Sequence, residues 1–280
     1  MNAVLHKIGW TVAGHLRRAF MVFLPALILP GCGTLPNDRG WGQDAFSTID
    51  FDRVSRAAHD AFFSINTLAP LAGALAFSVD DFDERVSDWA VKHTPVFGSK
   101  DEAGDASNYL TTPLHVEVLI TALATPSGDV PDEWMVSKFK GLGVELAAMG
   151  AARSTTNWLK GATDRTRPDK SSDVSFPSAH ASSAFSFATL ANRNIDSIGM
   201  PGTLKPAIKA GNLLFASGVA WARVEEQRHY PSDVLAGAAL GHFLTAFIHD
   251  AFLSLPDDGD VDFTVFGVEG GAGVELSFRF

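Results

Sequence analysis

The chain has 280 residues, 46% of them hydrophobic and 19% charged, which is enough for one sizeable core and implies a single domain with decorations. Its 22 basic and 32 acidic residues leave a formal charge of −10, which argues against nucleic acid as a partner. Against that acidic background, any local cluster of Arg and Lys needs a reason.

The N-terminal stretch "MNAVLHKIGWTVAGHLRRAFMVFLPALILPGCGTLP" carries Lys7, Arg17 and Arg18 and no acidic residue before Asp38. The apolar run from Phe20 to Leu29 has the length of a signal-peptide core and is too short to span a bilayer as a helix. It ends in "LPGC", and Cys32 is the only cysteine in the chain. The ending resembles the bacterial lipobox, in which the cysteine becomes the lipidated first residue after cleavage. The expectation is a signal peptide over 1–31 and an acyl anchor on Cys32. The protein would then be lipid-anchored in a bacterial cell envelope, facing the periplasm, with the outer membrane as its site. Cleavage would leave 19 basic and 32 acidic residues, a formal charge of −13.

Residues 32–43, rich in Gly, Pro, Asn and Asp, read as a tether. Apolar periodicity then predicts helices near 51–78, 80–92, 111–125, 132–160, 178–192, 205–221 and 232–254, a helical domain over 44–256. Small residues crowd "VELAAMGAA" and "VLAGAALGHFLTAF", the pattern of close helix–helix approach. No helix offers an unbroken apolar stretch of about 20 residues. The reading is therefore buried helices of a soluble bundle. In the tail, Val274, Leu276, Phe278 and Phe280 alternate with polar residues after "GGAG", which predicts a β-hairpin over 257–280, laid on the helical body.

Three short stretches carry the chemistry. "KGATDRTRP" supplies Lys160 and Arg167, "FPSAH" supplies Ser178, Ala179 and His180, and "ARVEEQRHYPSD" supplies Arg223, His229 and Asp233. Lys160, Arg167 and Arg223 are cations suited to phosphoryl oxygens, and the two guanidiniums can grip them bidentately. Pro177-Ser178 opens a helix, where a hydroxyl and free N–H groups can bind an anion. Two histidines suffice for covalent phosphoryl transfer, one attacking phosphorus and the other protonating the leaving oxygen. If Pro231 starts a helix, Asp233 shares a face with His229 and can accept its Nδ1–H, leaving Nε2 aimed at the substrate. That assigns His229 as nucleophile and His180 as acid.

The ordered set resembles the type 2 phosphatidic acid phosphatase superfamily, which includes bacterial acid phosphatases, lipid phosphate phosphatases and vanadium haloperoxidases. Its pattern is Lys-x6-Arg-Pro, Pro-Ser-Gly-His and Ser-Arg-x5-His-x3-Asp. The resemblance implies a mostly α-helical bundle of the acid phosphatase/haloperoxidase type. Lys160, Arg167, Ser178, Ala179 and Arg223 would hold the phosphate. His229, His180 and Asp233 would perform the reaction. Ala179 stands where the family has Gly, and Ala222 where it has Ser. The implied activity is a metal-independent phosphatase with no cofactor, hydrolysing phosphate monoesters or lipid (di)phosphates through a phosphohistidine. Its partners would be a phosphorylated small molecule or lipid phosphate, and a membrane through the anchor. Two alternatives are a vanadate-dependent haloperoxidase, with His229 as the vanadate ligand, and a non-catalytic anion-binding envelope lipoprotein.

Overall fold

The computed structural model describes residues 31–46 and 51–253, and the strand backbones 262–268 and 271–277. The expected leader, residues 1–31, therefore lies outside the described residues except for Gly31. Among the described residues are eight helices: α1 (Phe51–Phe63), α2 (Ile65–Phe77), α3 (Phe82–His93), α4 (Lys100–Ala124), α5 (Pro131–Thr163), α6 (Ala179–Ser197), α7 (Leu204–Glu225) and α8 (Pro231–Phe252). The chain is mostly helical, as expected.

Two helix boundaries differ most from the periodicity. The stretch 51–78 is divided at Ser64, whose hydroxyl accepts the Asn66 N–H at 3.2 Å and caps α2. Helix α4 begins at Lys100, well before 111. Ser99 Oγ accepts the Glu102 N–H at 3.1 Å and donates to the Glu102 carboxylate at 3.2 Å. That is half of a capping box, and it starts a helix whose first turns have too little apolar surface to show a period.

The bundle is organised on α6 and α8. A Cβ added at Gly237 would stand 2.5 Å from the Ser178 carbonyl oxygen, and one at Gly241 would stand 2.2 Å from that of Ser182. The two helices therefore touch backbone to backbone, which sets the start of α6 directly against the start of α8. Beside them, Leu114 of α4, Ala184 and Ala188 of α6, and Ala216 and Val219 of α7 form one buried cluster. Helices α1 and α2 lie along α8. Facing outward are Leu119, Leu123, Phe139, Leu146, Leu214 and Phe215, all exposed. Among the described residues α8 is long and apolar enough to cross a membrane, and the pair α1–α2, bent by 47°, meets the same test jointly. More than half of that apolar stretch of α8 is buried against neighbouring helices, as in the core of a bundle.

The expected tether is instead folded onto the bundle. Trp41 is fully buried, and its backbone N–H donates to the Pro126 carbonyl at 2.8 Å. Its ring fills the space over Gly141, where a Cβ would stand 2.1 Å from the ring. Lys138 Nζ lies 5.1 Å from the Trp41 ring centroid and 5.6 Å from that of Trp134, and donates to the Ala122 and Thr125 carbonyls. Gly33 and Gly128 exchange two backbone bonds, at 3.2 and 2.7 Å. Gly and Pro dominate the composition here, but Leu35 and Trp41 supply apolar anchors. Cys32 stays exposed.

At the C-terminal end, β1 (Asp262–Val268) pairs antiparallel with β2 (Gly271–Ser277). Their side chains, and so the expected packing on the body, lie outside the described residues.

Candidate active site

All three stretches meet at one end of the bundle. Lys160 is in the last turn of α5, and its Nζ donates to the Val174 carbonyl at 2.6 Å. Arg167 lies in the α5–α6 loop, with its Nε buried and without a protein partner. Ser178 caps α6: it is fully buried, its Oγ accepts the Ala181 N–H at 3.4 Å, and its own N–H donates to the Asp233 carbonyl at 2.9 Å. Ala179 is the first helical residue, with no positive φ, so Ala can stand where a Gly was expected. Arg223 is in the last turn of α7 and only 8% exposed. Its Nη1 donates to Ser107 Oγ at 3.3 Å and to the Glu226 carboxylate, while its Nε is buried without a protein partner. Buried donors left unpaired by the protein cost free energy unless something else accepts from them. Two guanidinium Nε groups of this kind in one site suit the oxygens of an oxyanion.

His180 is the second residue of α6. Burial, then the charges of Arg223, His229, Lys160 and Arg167, push its pKa down to about 4. Burial likewise lowers Lys160 to about 8, with Arg167 and Arg223 adding to the effect and Asp233 opposing it. The predicted cations and both histidines thus share one electrostatic neighbourhood.

The geometry corrects one assignment. His229 is 2% exposed, and its Nδ1 lies 2.6 Å from the Ser175 backbone carbonyl. A carbonyl only accepts, so Nδ1 carries the proton and Nε2 of the neutral ring keeps its lone pair. Asp233 Oδ2 is 3.9 Å from Nδ1, beyond hydrogen-bond range. The tautomer is therefore set first by a main-chain oxygen, with the carboxylate one step further away. Burial lowers His229 to about 4 despite neighbouring Asp233, so the ring is neutral at pH 7.

Asp233 instead joins a buried network. It accepts from Ser175 Oγ at 2.5 Å, from the Tyr230 N–H at 2.9 Å and from Arg165 Nη1 at 2.7 Å. Burial alone would raise its pKa, but neighbouring His229, Arg165, Ser175 and Tyr230 together hold it below the ordinary value. Arg165 also donates to Asp83 at 2.8 Å and lies 4.4 Å over the Tyr230 ring. Asp83, 4% exposed on α3, accepts the Ser232 N–H at 2.8 Å. Arg165, Asp83 and Ser175 were not singled out in the sequence. Arg165 lies within "KGATDRTRP", where its proximity to Arg167 was the available signal. Nothing local pointed to Asp83, 150 residues before Asp233.

Among the described residues, no group of three His, Cys, Asp or Glu side chains is placed to hold a metal ion. What the site offers a ligand is cationic and hydrogen-bonding.

Residues 142–255 match the PAP2 superfamily, and that span contains every predicted phosphate-binding and catalytic residue. A lipid A 1-phosphatase of Porphyromonas gingivalis is 36% identical over 96 residues, covering 34% of this chain. The match spans only 20% of that relative's length. The crystal structure of a transmembrane PAP2 type phosphatidylglycerolphosphate phosphatase from Bacillus subtilis superposes with a TM-score of 0.50 at 22% identity, covering 68% of this chain and 93% of that one.

Proposed function

For a chain that carries a PAP2 superfamily domain over residues 142–255, we propose a phosphatase that hydrolyses lipid phosphates through a phosphohistidine on His229, without a metal ion. The observation that carries this reading is the Ser175 carbonyl holding the His229 Nδ1 proton, beside two buried arginine Nε donors that lack protein partners.

In the proposed reaction Nε2 of His229 attacks phosphorus while Lys160, Arg167, Arg223 and the N–H groups at the start of α6 hold the equatorial oxygens. The bond to the leaving oxygen breaks, and His180 gives that oxygen its proton. Free His180 is neutral near pH 7 because burial and then the surrounding cations lower its pKa. A dianionic phosphoryl group offsets those charges, so substrate binding itself raises the pKa of the acid. Water then attacks the phosphohistidine, with His180 taking the proton. Asp233 and Arg165 keep the His229 loop in place, and the carboxylate stabilises the ring when it becomes cationic.

The named relatives act on phosphorylated lipids, which supports a lipid phosphate as substrate here. A periplasm-facing lipid anchor on Cys32 and the laid-down C-terminal hairpin remain parts of the proposal. Trp134, whose Nε1 donates to the Gly31 carbonyl, precedes Lys160 by 26 positions on α5. At ~1.5 Å per residue the anchored end is about 39 Å along that helix from the phosphate site.

The test is phosphate release by the purified full chain from lipid phosphates and from soluble monoesters. His229→Ala should abolish release with the helical circular dichroism unchanged. Wild-type inactivity on both substrate classes, or near-parental turnover in His229→Ala, would remove the mechanism.

A further inference from the structure

A polar cleft of about 450 Å³ lies beside the phosphate site. Lys100, Asp105 and Asn108 line it from the first turns of α4, Asp169 from the loop after Arg167, and Glu226 and Arg228 from the turn after Arg223. The segments bearing both phosphate-site arginines thus continue directly into its walls. Glu226 is the shared wall: its carboxylate accepts from Arg223 Nη1 on one side and from Arg228 Nε at 3.3 Å on the other. Arg228 Nη1 also reaches Asp169 at 3.3 Å, Lys100 Nζ reaches Gln227 Oε1 at 3.3 Å, and the Asp169 N–H donates to the Gln227 carbonyl at 3.2 Å. Gly104 makes room for this arrangement, since a Cβ there would stand 3.1 Å from the Glu226 carboxylate. The cleft has a braced frame and is not a gap between mobile loops.

Its chemistry excludes two kinds of occupant. An acyl chain would meet charged and amide groups on every wall. A second phosphate would meet Asp101, Asp105, Asp169 and Glu226 against only Lys100 and Arg228, a net charge of −2. What suits carboxylates, an amide and an ammonium at close quarters is a group with several hydroxyls, each able to donate to a carboxylate and accept from Asn108 or Lys100. Asp105 and Asn108 sit three residues apart on α4, on neighbouring positions of one helix face, and both are exposed.

We propose that this cleft binds the leaving group of the substrate, that the leaving group is a polyhydroxyl, sugar-type moiety, and that Asp105 and Asn108 determine its specificity. The inference rests on the phosphatase reading of the adjoining site. The test compares a hexose 1-phosphate with p-nitrophenyl phosphate, whose leaving group has no hydroxyls to offer, on the parent chain and on the double variant Asp105→Ala/Asn108→Ala. The parent should have the lower KM for the hexose 1-phosphate. The double variant should raise that KM at least about tenfold, while kcat/KM for p-nitrophenyl phosphate stays within about twofold. Equal effects on both substrates, or no parental preference, would overturn the cleft assignment and leave the phosphatase intact. Hydrolysis of neither substrate by a parent that still releases phosphate from lipid phosphates would likewise overturn the cleft assignment, whereas inactivity on lipid phosphates as well would remove the phosphatase reading.

Discussion

Lys160 gives the account a sharp pH signature. Burial, reinforced by Arg167 and Arg223 and opposed by Asp233, places its pKa at about 8. The charged form is the one that binds phosphoryl oxygens, so the contribution is present below that value and is lost as pH rises through it. With a pKa near 8, about nine-tenths of Lys160 is charged at pH 7 and roughly one-tenth at pH 9. Values of kcat/KM report the free enzyme, so loss of the Lys160 charge should add about a tenfold fall per pH unit above 8. His229 is already neutral across this range. The low value of His180, which must carry a proton to act as acid, adds a falling limb that the parent and Lys160→Arg share, so the ratio of the two profiles isolates Lys160. Lys160→Arg keeps a cation that does not titrate in proteins. It should lower the rate through altered geometry but carry the Lys160 limb beyond about pH 10. The assay is kcat/KM of the purified chain on a phosphate monoester across that range. A ratio of parent to Lys160→Arg that stays flat to about pH 10 would refute the reasoning.

Three other outcomes follow from particular contacts. Gly141→Ala places a methyl 2.1 Å from the Trp41 ring and should expel it. The expected loss is about 3 kcal/mol in urea unfolding, with faster proteolysis within 31–46, and a variant as stable as its parent would contradict the docking. Asp233→Asn breaks a buried pair with Arg165 and should destabilise by about 3 kcal/mol, yet keep more turnover than His229→Ala, because the Ser175 carbonyl still sets the tautomer. Activity should survive EDTA and be inhibited by vanadate at lower concentration than by phosphate, since vanadate resembles the trigonal-bipyramidal centre. Loss on chelation that a divalent metal restores would contradict the metal-free mechanism.

The site was more legible in the sequence than the contacts that hold it. Lys160, Arg167, Ser178, His180, Arg223 and His229 could be singled out because their order and spacing resemble the motifs of the superfamily, and the fold brings them to one end of the bundle. The brace on Asp233 was not legible, because Asp83 reaches it through Arg165 from a helix distant in sequence. The partner of His229 was misassigned for a related reason. A backbone carbonyl carries no residue identity, and Ser175 O outcompetes the carboxylate that helical spacing suggested. In the fold, apolar periodicity located the helical core but missed the first turns of α4, whose helix is started by Ser99 and Glu102. It also took 32–43 for a tether, because Trp41 acts through a long-range socket at Gly141 that no local pattern records.

The measurement closest to the central claim is trapping of the intermediate. Rapid quenching of the working enzyme with a substrate labelled at phosphorus should transfer label to the protein as an acid-labile, base-stable adduct. Peptide mapping should place it on His229, with none formed in His229→Ala. His180→Ala should still acquire label from an ester with a good leaving group and release it slowly, because it lacks the proton carrier for hydrolysis. Label that persists in His229→Ala, or its absence from a parent enzyme turning over substrate, would contradict the covalent mechanism.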